Sequence, residues 1–244
     1  MNADQQPVLG ILMLDTRFPR VPGDVGNAST WPFPVRYAVV RGASPERVVR
    51  DRAEGLVDAF VAAGRTLAGE GVAGLITTCG FLALHQRELA RALPVPFASS
   101  SLMQLPMVER TLPAGKRAGV ITIDAASLTP AHFEAVGADP ATPVVGVDPN
   151  GEFARSILGD LPTLDVTAAE REVLAAGQAL LARHPDVGAV VLECANMPPY
   201  AVALRERLHV PVHDMASFGR WFYGGLAVEA YPPSCASGTS SPPG

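Results

Sequence analysis

Short runs of apolar residues alternate along the chain with longer amphipathic stretches, the pattern of strand-helix-strand units built around a parallel sheet. The apolar runs predict strands at residues 8–14, 74–78, 95–98, 118–123, 144–147, 189–193 and 210–212. The clearest helix is expected from Pro45 to about Ala68. Ser44 suits its cap, Pro45 its first position, and Val49, Leu56, Phe60, Ala63 and Leu67 form one apolar stripe. A second helix is expected from Thr167, where Thr-Ala-Ala-Glu170 reads as a capping box, to His184-Pro185. The Pro/Gly-rich stretch from Arg20 to Pro34 is long for a connector and reads equally as a functional loop or a packed excursion. Residues 232–244 have the composition of a disordered tail and include Cys235.

Most informative is an internal repeat. Residues 74–96 overlay residues 189–211 without a gap, and five pairs are identical: Cys79/Cys194, Leu89/Leu204, Leu93/Leu208, Val95/Val210 and Pro96/Pro211, each 115 apart. Gly10 to Asp15 likewise overlays Gly119 to Asp124 at an offset of 109. The chain therefore reads as two copies of one α/β unit.

Charge and composition remove several classes of function. The 244 residues carry 19 Lys+Arg against 24 Asp+Glu, a net charge of -5, and no basic patch, so nucleic acid and anionic membranes are poor partners. No apolar run approaches the roughly 18 residues that span a bilayer, and no basic region precedes the short apolar stretch at the start; a cytoplasmic protein is expected. The single lysine, Lys116, sits in an expected loop, which disfavours Schiff-base chemistry. Three distant cysteines make no disulfide framework, no CxxC or HExxH spacing occurs, and the five scattered histidines read as surface or packed residues, so no metal is expected.

The repeat acquires chemical meaning from its cysteines. Cys79 and Cys194 both fall just past a buried strand and at the start of the next helix. In an open parallel sheet ligands bind there, where free N–H groups and the positive end of the helix dipole favour a thiolate or an anionic ligand. One such cysteine alone reads as an inert buried hydrophobe. Two in register read as a pair facing each other across a cleft, an arrangement suited to removing a proton from one face of a carbon and returning one to the other.

These residues resemble the cofactor-independent aspartate/glutamate racemase superfamily, which includes glutamate, aspartate and hydantoin racemases, arylmalonate decarboxylase and maleate isomerase. The resemblance covers about residues 8 to 230. It rests on Leu9-Gly-Ile-Leu-Met-Leu-Asp15-Thr16, Ile76-Thr-Thr-Cys79-Gly80 and Leu192-Glu-Cys194-Ala-Asn196-Met-Pro-Pro-Tyr200. It implies two flavodoxin-like α/β/α domains with parallel sheets related by a pseudo-twofold axis, the active site in the cleft between them, and a homodimer. The expected division is 1–106 plus about 213–231 for the first domain and 107–212 for the second. By position, Cys79 and Cys194 become the proton-transfer pair, with no cofactor, and Asp15 and Thr16 match a pair that contacts substrate or orients a cysteine. Asp15 reads equally as a loop cap, since Asp124 repeats it.

The sequence also departs from glutamate racemases. Gly80-Phe81 and Ala195-Asn196 replace the Asn-Thr and Thr-His pairs that follow the two cysteines there. Substrate contacts then fall to the N–H groups of Gly80 and Phe81 and to Thr78, Thr122, Asn196 and Ser99 or Ser100, with Thr122 equally readable as strand packing. Glu193 is expected to alternate away from Cys194 as a supporting or buried polar residue. The loop from Arg20 to Tyr37 is expected to cover the cleft, bringing Asn27, Arg36 and Tyr37 to a substrate carboxylate. The reading that follows is an isomerase: a racemase or epimerase inverting a carbon beside a carboxylate or amide carbonyl, with an aspartate/glutamate-class amino acid as substrate. Hydantoin racemisation, arylmalonate-type decarboxylation, maleate-type isomerisation and a non-catalytic protein binding small carboxylates are the alternatives.

Overall fold

The computed structural model of the chain describes residues 6–228, so the expected tail and Cys235 lie outside the described residues. The first half runs β1 (Leu9–Leu14), β2 (Val35–Val40), α1 (Pro45–Val49), α2 (Val57–Gly69), β3 (Gly74–Thr77), α3 (Gln86–Ala92), β4 (Phe97–Ala98) and α4 (Leu105–Thr111). The second runs β5 (Arg117–Thr122), α5 (Pro130–Ala135), β6 (Val144–Gly146), α6 (Glu152–Leu158), α7 (Val166–Arg183), β7 (Val187–Leu192), α8 (Ala201–Leu208), β8 (Val212–His213) and α9 (Met215–Leu226).

Each half carries a four-stranded, all-parallel sheet, in the order β2-β1-β3-β4 and β6-β5-β7-β8. The central strands are apolar on both faces because helices cover both, as parallel sheets require. Leu9, Ile11, Leu12, Leu75 and Ile76 of the first sheet, and Val120, Ile121, Val190 and Val191 of the second, have no exposed surface. The shared strand order bears out the α/β class and the two-unit pattern. No helix among the described residues is long and apolar enough to cross a membrane.

Three local expectations change. Residues 35–40, of which 35–37 were expected in the loop and 38–40 in no element, form edge strand β2; it pairs only with β1, so its side chains are half-buried and make no continuous apolar run. The helix expected from Pro45 to Ala68 divides after Val49, where Arg52, Ala53 and Gly55 take positive φ (54°, 55° and 70°) and the chain turns Ala53 and Leu56 into the core. The second expected helix, α7, is capped by Asp165, whose carboxylate accepts the Thr167 and Ala168 N–H groups at 3.0 Å each, rather than by a box at Thr167.

The last helix returns to the first sheet. Phe222 and Leu226 of α9 pack over the bare Cα of Gly74, and the Tyr223 hydroxyl donates to the Pro7 carbonyl at 2.8 Å. The halves meet where the strands of both sheets end. Ser101 Oγ donates to the carbonyls of Leu192 and Glu193, and Gln104 Nε2 to that of Asp214 at 3.1 Å. This juncture holds the site.

Candidate active site

Cys79 follows β3 and caps a 3-10 turn, Gly80–His85; Cys194 follows β7 and precedes a second such turn, Pro198–Tyr200. Both thiols are free, buried, and line one cavity between the halves. Its remaining wall is largely apolar: Leu14, Phe18 and Val49 with Phe81 on one side, Ile123, Ile157 and Leu158 on the other, with Thr78 and Asn196 as the polar side chains. The cavity measures about 20 Å³, room for about one water molecule.

Burial pushes the Cys79 thiol up to about 12, and the Glu193 carboxyl adds to the rise; N–H groups of Phe81 and Leu82 pull against it. Cys194 is raised further by the same two causes and is relieved by one backbone N–H, that of Asn196. A thiolate therefore forms more readily at Cys79, which has two N–H partners. The Cys194 thiol donates to Asn196 Oδ1 at 3.5 Å.

Glu193, just past β7, places its carboxyl in the seam between the halves. Its Oε2 accepts from Thr122 Oγ1 at 2.7 Å, while Oε1 is buried without a hydrogen-bond partner. The carboxyl lies against the Cα of Gly80: a Cβ there would overlap both the Glu193 carbonyl oxygen and Oε1. Burial raises this carboxyl to about 8, against the pull of the Thr122 hydroxyl and the Ile123 N–H.

The loop after β1 covers the cleft. Arg17 pairs with Asp160 of the second half at 3.1 Å, and the Phe18 N–H donates to the same carboxylate at 3.2 Å. Farther on, Asn196 Nδ2 donates to Asp24 Oδ2, and the Val25 N–H to the Ala195 carbonyl at 3.3 Å. Asp24 is paired in turn with Arg20 at 3.1 Å, and Arg20 stacks over Phe18, 4.3 Å from the ring centroid. A chain of contacts thus runs from Cys194 through Asn196 and Asp24 to Arg20. Asp24→Asn would set its amide NH2 against the donor of either Asn196 or Arg20 and remove the charge that pairs Arg20; it is expected to cost about 3 kcal/mol, the scale for breaking a buried pair, read by urea unfolding.

Of the residues singled out in the sequence, Cys79, Cys194, Thr78, Gly80, Phe81 and Asn196 converge on the cavity. Thr78 Oγ1 accepts the Leu14 N–H at 3.1 Å. Thr122 touches the site only through Glu193. Ser99 and Ser100 are buried beyond β4, Ser100 capping the following turn. Asn27 does not reach the cavity; its amide is consumed within the loop, accepting from Ser29 and donating to the Arg20 carbonyl at 2.7 Å. Asp15 is a loop cap, accepting the Gly42 N–H at 3.2 Å beside Arg41, and Thr16 accepts from Arg20 at 3.0 Å. Arg36 and Tyr37 belong to β2: Arg36 pairs with Glu70 at 3.3 Å on the surface, and the Tyr37 hydroxyl donates to the Val25 carbonyl.

Four contributors escaped the sequence reading: Phe18, Asp24, Arg20 and Tyr200. The Tyr200 hydroxyl is buried without a partner and raised by burial and the nearby Cys194 and Asp24. The sequence signal for Tyr200 lay in the motif after Cys194; nothing local marked the other three. No cluster of three or more His, Cys, Asp or Glu side chains among the described residues is arranged to hold a metal.

No family model matches the chain. Among solved structures it is similar to arylmalonate decarboxylase (TM-score 0.59, 16% identity, 92% of this chain and 94% of that one). It is also similar to a glutamate racemase from Bacillus anthracis (0.57, 15%, 91% and 84%) and to the aspartate racemase of Picrophilus torridus (0.54, 13%, 90% and 92%). The fold is the one these decarboxylase and racemase structures share, as the resemblance implied. The curated relatives differ in activity. Dimethylsulfoniopropionate lyase 5 of Emiliania huxleyi is 31% identical over 219 residues, 85% of this chain and 43% of that protein. The dimethylsulfoniopropionate lyase of Durusdinium sp. clade D is 25% identical over 228 residues (89% and 74%), and lyase 7 of E. huxleyi 28% over 222 (86% and 64%). The chain thus spans 43% to 74% of the length of these relatives.

These relatives overturn the expectation of an amino-acid racemase and of an isomerase: they are lyases. Fold and paired thiols served equally for several reactions at an acidic carbon. The informative departures were Gly80-Phe81 and Ala195-Asn196, which remove the side-chain donors of an amino-acid site.

Proposed function

We propose that the chain is a lyase that cleaves a β-sulfonio carboxylate, dimethylsulfoniopropionate or a close analogue, by elimination. What carries the reading is the run of dimethylsulfoniopropionate lyases among the relatives, taken with an enclosed apolar cavity walled by two thiols. In this substrate a carboxylate sits on one carbon and a dimethylsulfonio group on the next. A base takes the proton beside the carboxylate, the C–H electron pair becomes the new C=C bond, and the C–S pair leaves with sulfur. The products are dimethyl sulfide, acrylate and one proton, with no oxidant or water consumed.

Each part of the reaction has a counterpart in the site. The Cys79 thiolate, with its two N–H partners, is the base. The Thr78 hydroxyl and the Gly80 N–H, at the start of the turn after Cys79, receive the carboxylate, whose negative charge grows as the proton leaves. Phe18 and Phe81, amid aliphatic side chains, face the sulfonium, which suits aromatic rings and apolar walls. A neutral sulfide needs no protonation as it departs, so one base suffices.

The test is gas-chromatographic detection of dimethyl sulfide from the purified protein and dimethylsulfoniopropionate, with acrylate followed by NMR. Absence of both products across pH 6–9 would end the reading. Because the base must be ionised and burial pushes its pKa up to about 12, kcat/KM is expected to climb with pH throughout this range, with no plateau below about pH 9. A profile already flat at pH 7 would point to a base other than a buried thiol.

A further inference from the structure

Glu193 is a buried carboxyl with no cation. Its exposure is 1%, Oε1 has no hydrogen-bond partner, the carboxyl is relieved by the Thr122 hydroxyl and the Ile123 N–H, and no basic group lies within ion-pair distance among the described residues. The charge facing it from neighbouring elements offers no relief. Asp124, beyond β5, is acidic; Glu193 in turn acts on the thiols of Cys79 and Cys194; and the guanidinium that acts on Cys79, Arg20, is committed to Asp24. Only the bare Cα of Gly80 separates the unpartnered oxygen from the cavity that Gly80 lines. A buried carboxyl placed this way needs either a proton or a cation supplied from outside.

We propose that Glu193 is the counter-ion of the site, and that its charge makes the cavity select ligands with a positively charged onium head over neutral ligands of the same shape. This deepens the lyase reading by assigning recognition of the sulfonium to a named residue, and it rests on that reading for the choice of ligand. The empty protein holds Glu193 largely protonated at neutral pH, since its pKa is raised to about 8. Ligand charge then favours the ionised form, so onium binding releases a proton and strengthens as pH rises through 8. Burial pushes both thiols up, Cys79 to about 12, so they stay protonated across this window.

The test uses two unreactive carboxylates that differ only in the charge of the head group: 3-(trimethylammonio)propanoate, whose amine is a poor leaving group, and 4,4-dimethylpentanoate, the isostere with an uncharged tert-butyl head. Their dissociation constants are measured by calorimetry from pH 6.5 to 9 for the wild type and Glu193→Gln. The wild type is expected to prefer the onium ligand on the order of tenfold at pH 9 and less at pH 6.5, and Glu193→Gln to bind both alike at every pH. An undiminished preference in Glu193→Gln, a wild-type preference flat with pH, or no onium binding at all would overturn the proposal. The wild-type pH series needs no variant, so it decides even if Glu193→Gln folds poorly. Dimethyl sulfide release separates the two readings. Turnover without a Glu193-dependent preference leaves the lyase standing and removes the counter-ion. A Glu193-dependent preference without turnover does the reverse.

Discussion

Cys79→Ser is expected to lower dimethyl sulfide release by about three orders of magnitude, and Cys194→Ser by about one. The asymmetry follows from the chemistry. Inverting a carbon needs a base on one face and an acid on the other, so a racemase loses its reaction with either thiol. Elimination needs one base, and two backbone N–H groups stabilise the thiolate at Cys79 against one at Cys194. Serine keeps the shape but is far too weak an acid to ionise in a buried site. Initial rates with matched circular dichroism spectra decide the matter. Equal losses from both variants would return the pair to a joint role, and a larger loss at Cys194 would reverse the assignment.

Gly80→Ala is expected to destabilise the protein by about 3 kcal/mol and to slow turnover on the order of 100-fold. The added methyl group meets the Glu193 carbonyl oxygen, a backbone atom at the end of β7 that Ser101 also engages, and so has no flexible neighbour to displace. Either the Cys79 turn shifts or the halves part, and both move the base relative to its substrate. Urea unfolding reads the first effect and dimethyl sulfide release the second. A variant with wild-type values in both would show that the seam at Gly80 gives way cheaply.

Much of this fold was legible in the sequence, because parallel strands buried on both faces appear as apolar runs. Edge strand β2 was not, since its residues are half-buried. The repeat nonetheless contained it: β2 begins at Val35 and β6 at Val144, the same offset of 109 that relates Gly10 to Gly119. The repeat reaches the ends of the sheets too, where β4 and β8 begin 115 residues apart, at Phe97 and Val212. At the site, the two cysteines and the residues after them were legible because position after a strand determines what faces the cleft. Asp24, Arg20 and Phe18 were not, because a loop's contacts are made with partners distant in the chain, Asp24 with Asn196 and Phe18 with Asp160. Glu193 was expected as a supporting or buried polar residue and is buried, but strand alternation says nothing of the opposing half, and the contact with Gly80 is made there.

The cavity admits about one water molecule, whereas dimethylsulfoniopropionate has eight heavy atoms. On the lyase reading, a substrate of that size is expected to enter when the covering loop releases Asp160 and Asn196, so that part of each cycle is spent waiting to open. At low substrate concentration its throughput reports how often the loop lets go rather than how often molecules collide. Raising solvent viscosity with a small cosolute should therefore leave kcat/KM nearly unchanged, the signature of an enzyme whose doorway, and not diffusion, meters the traffic.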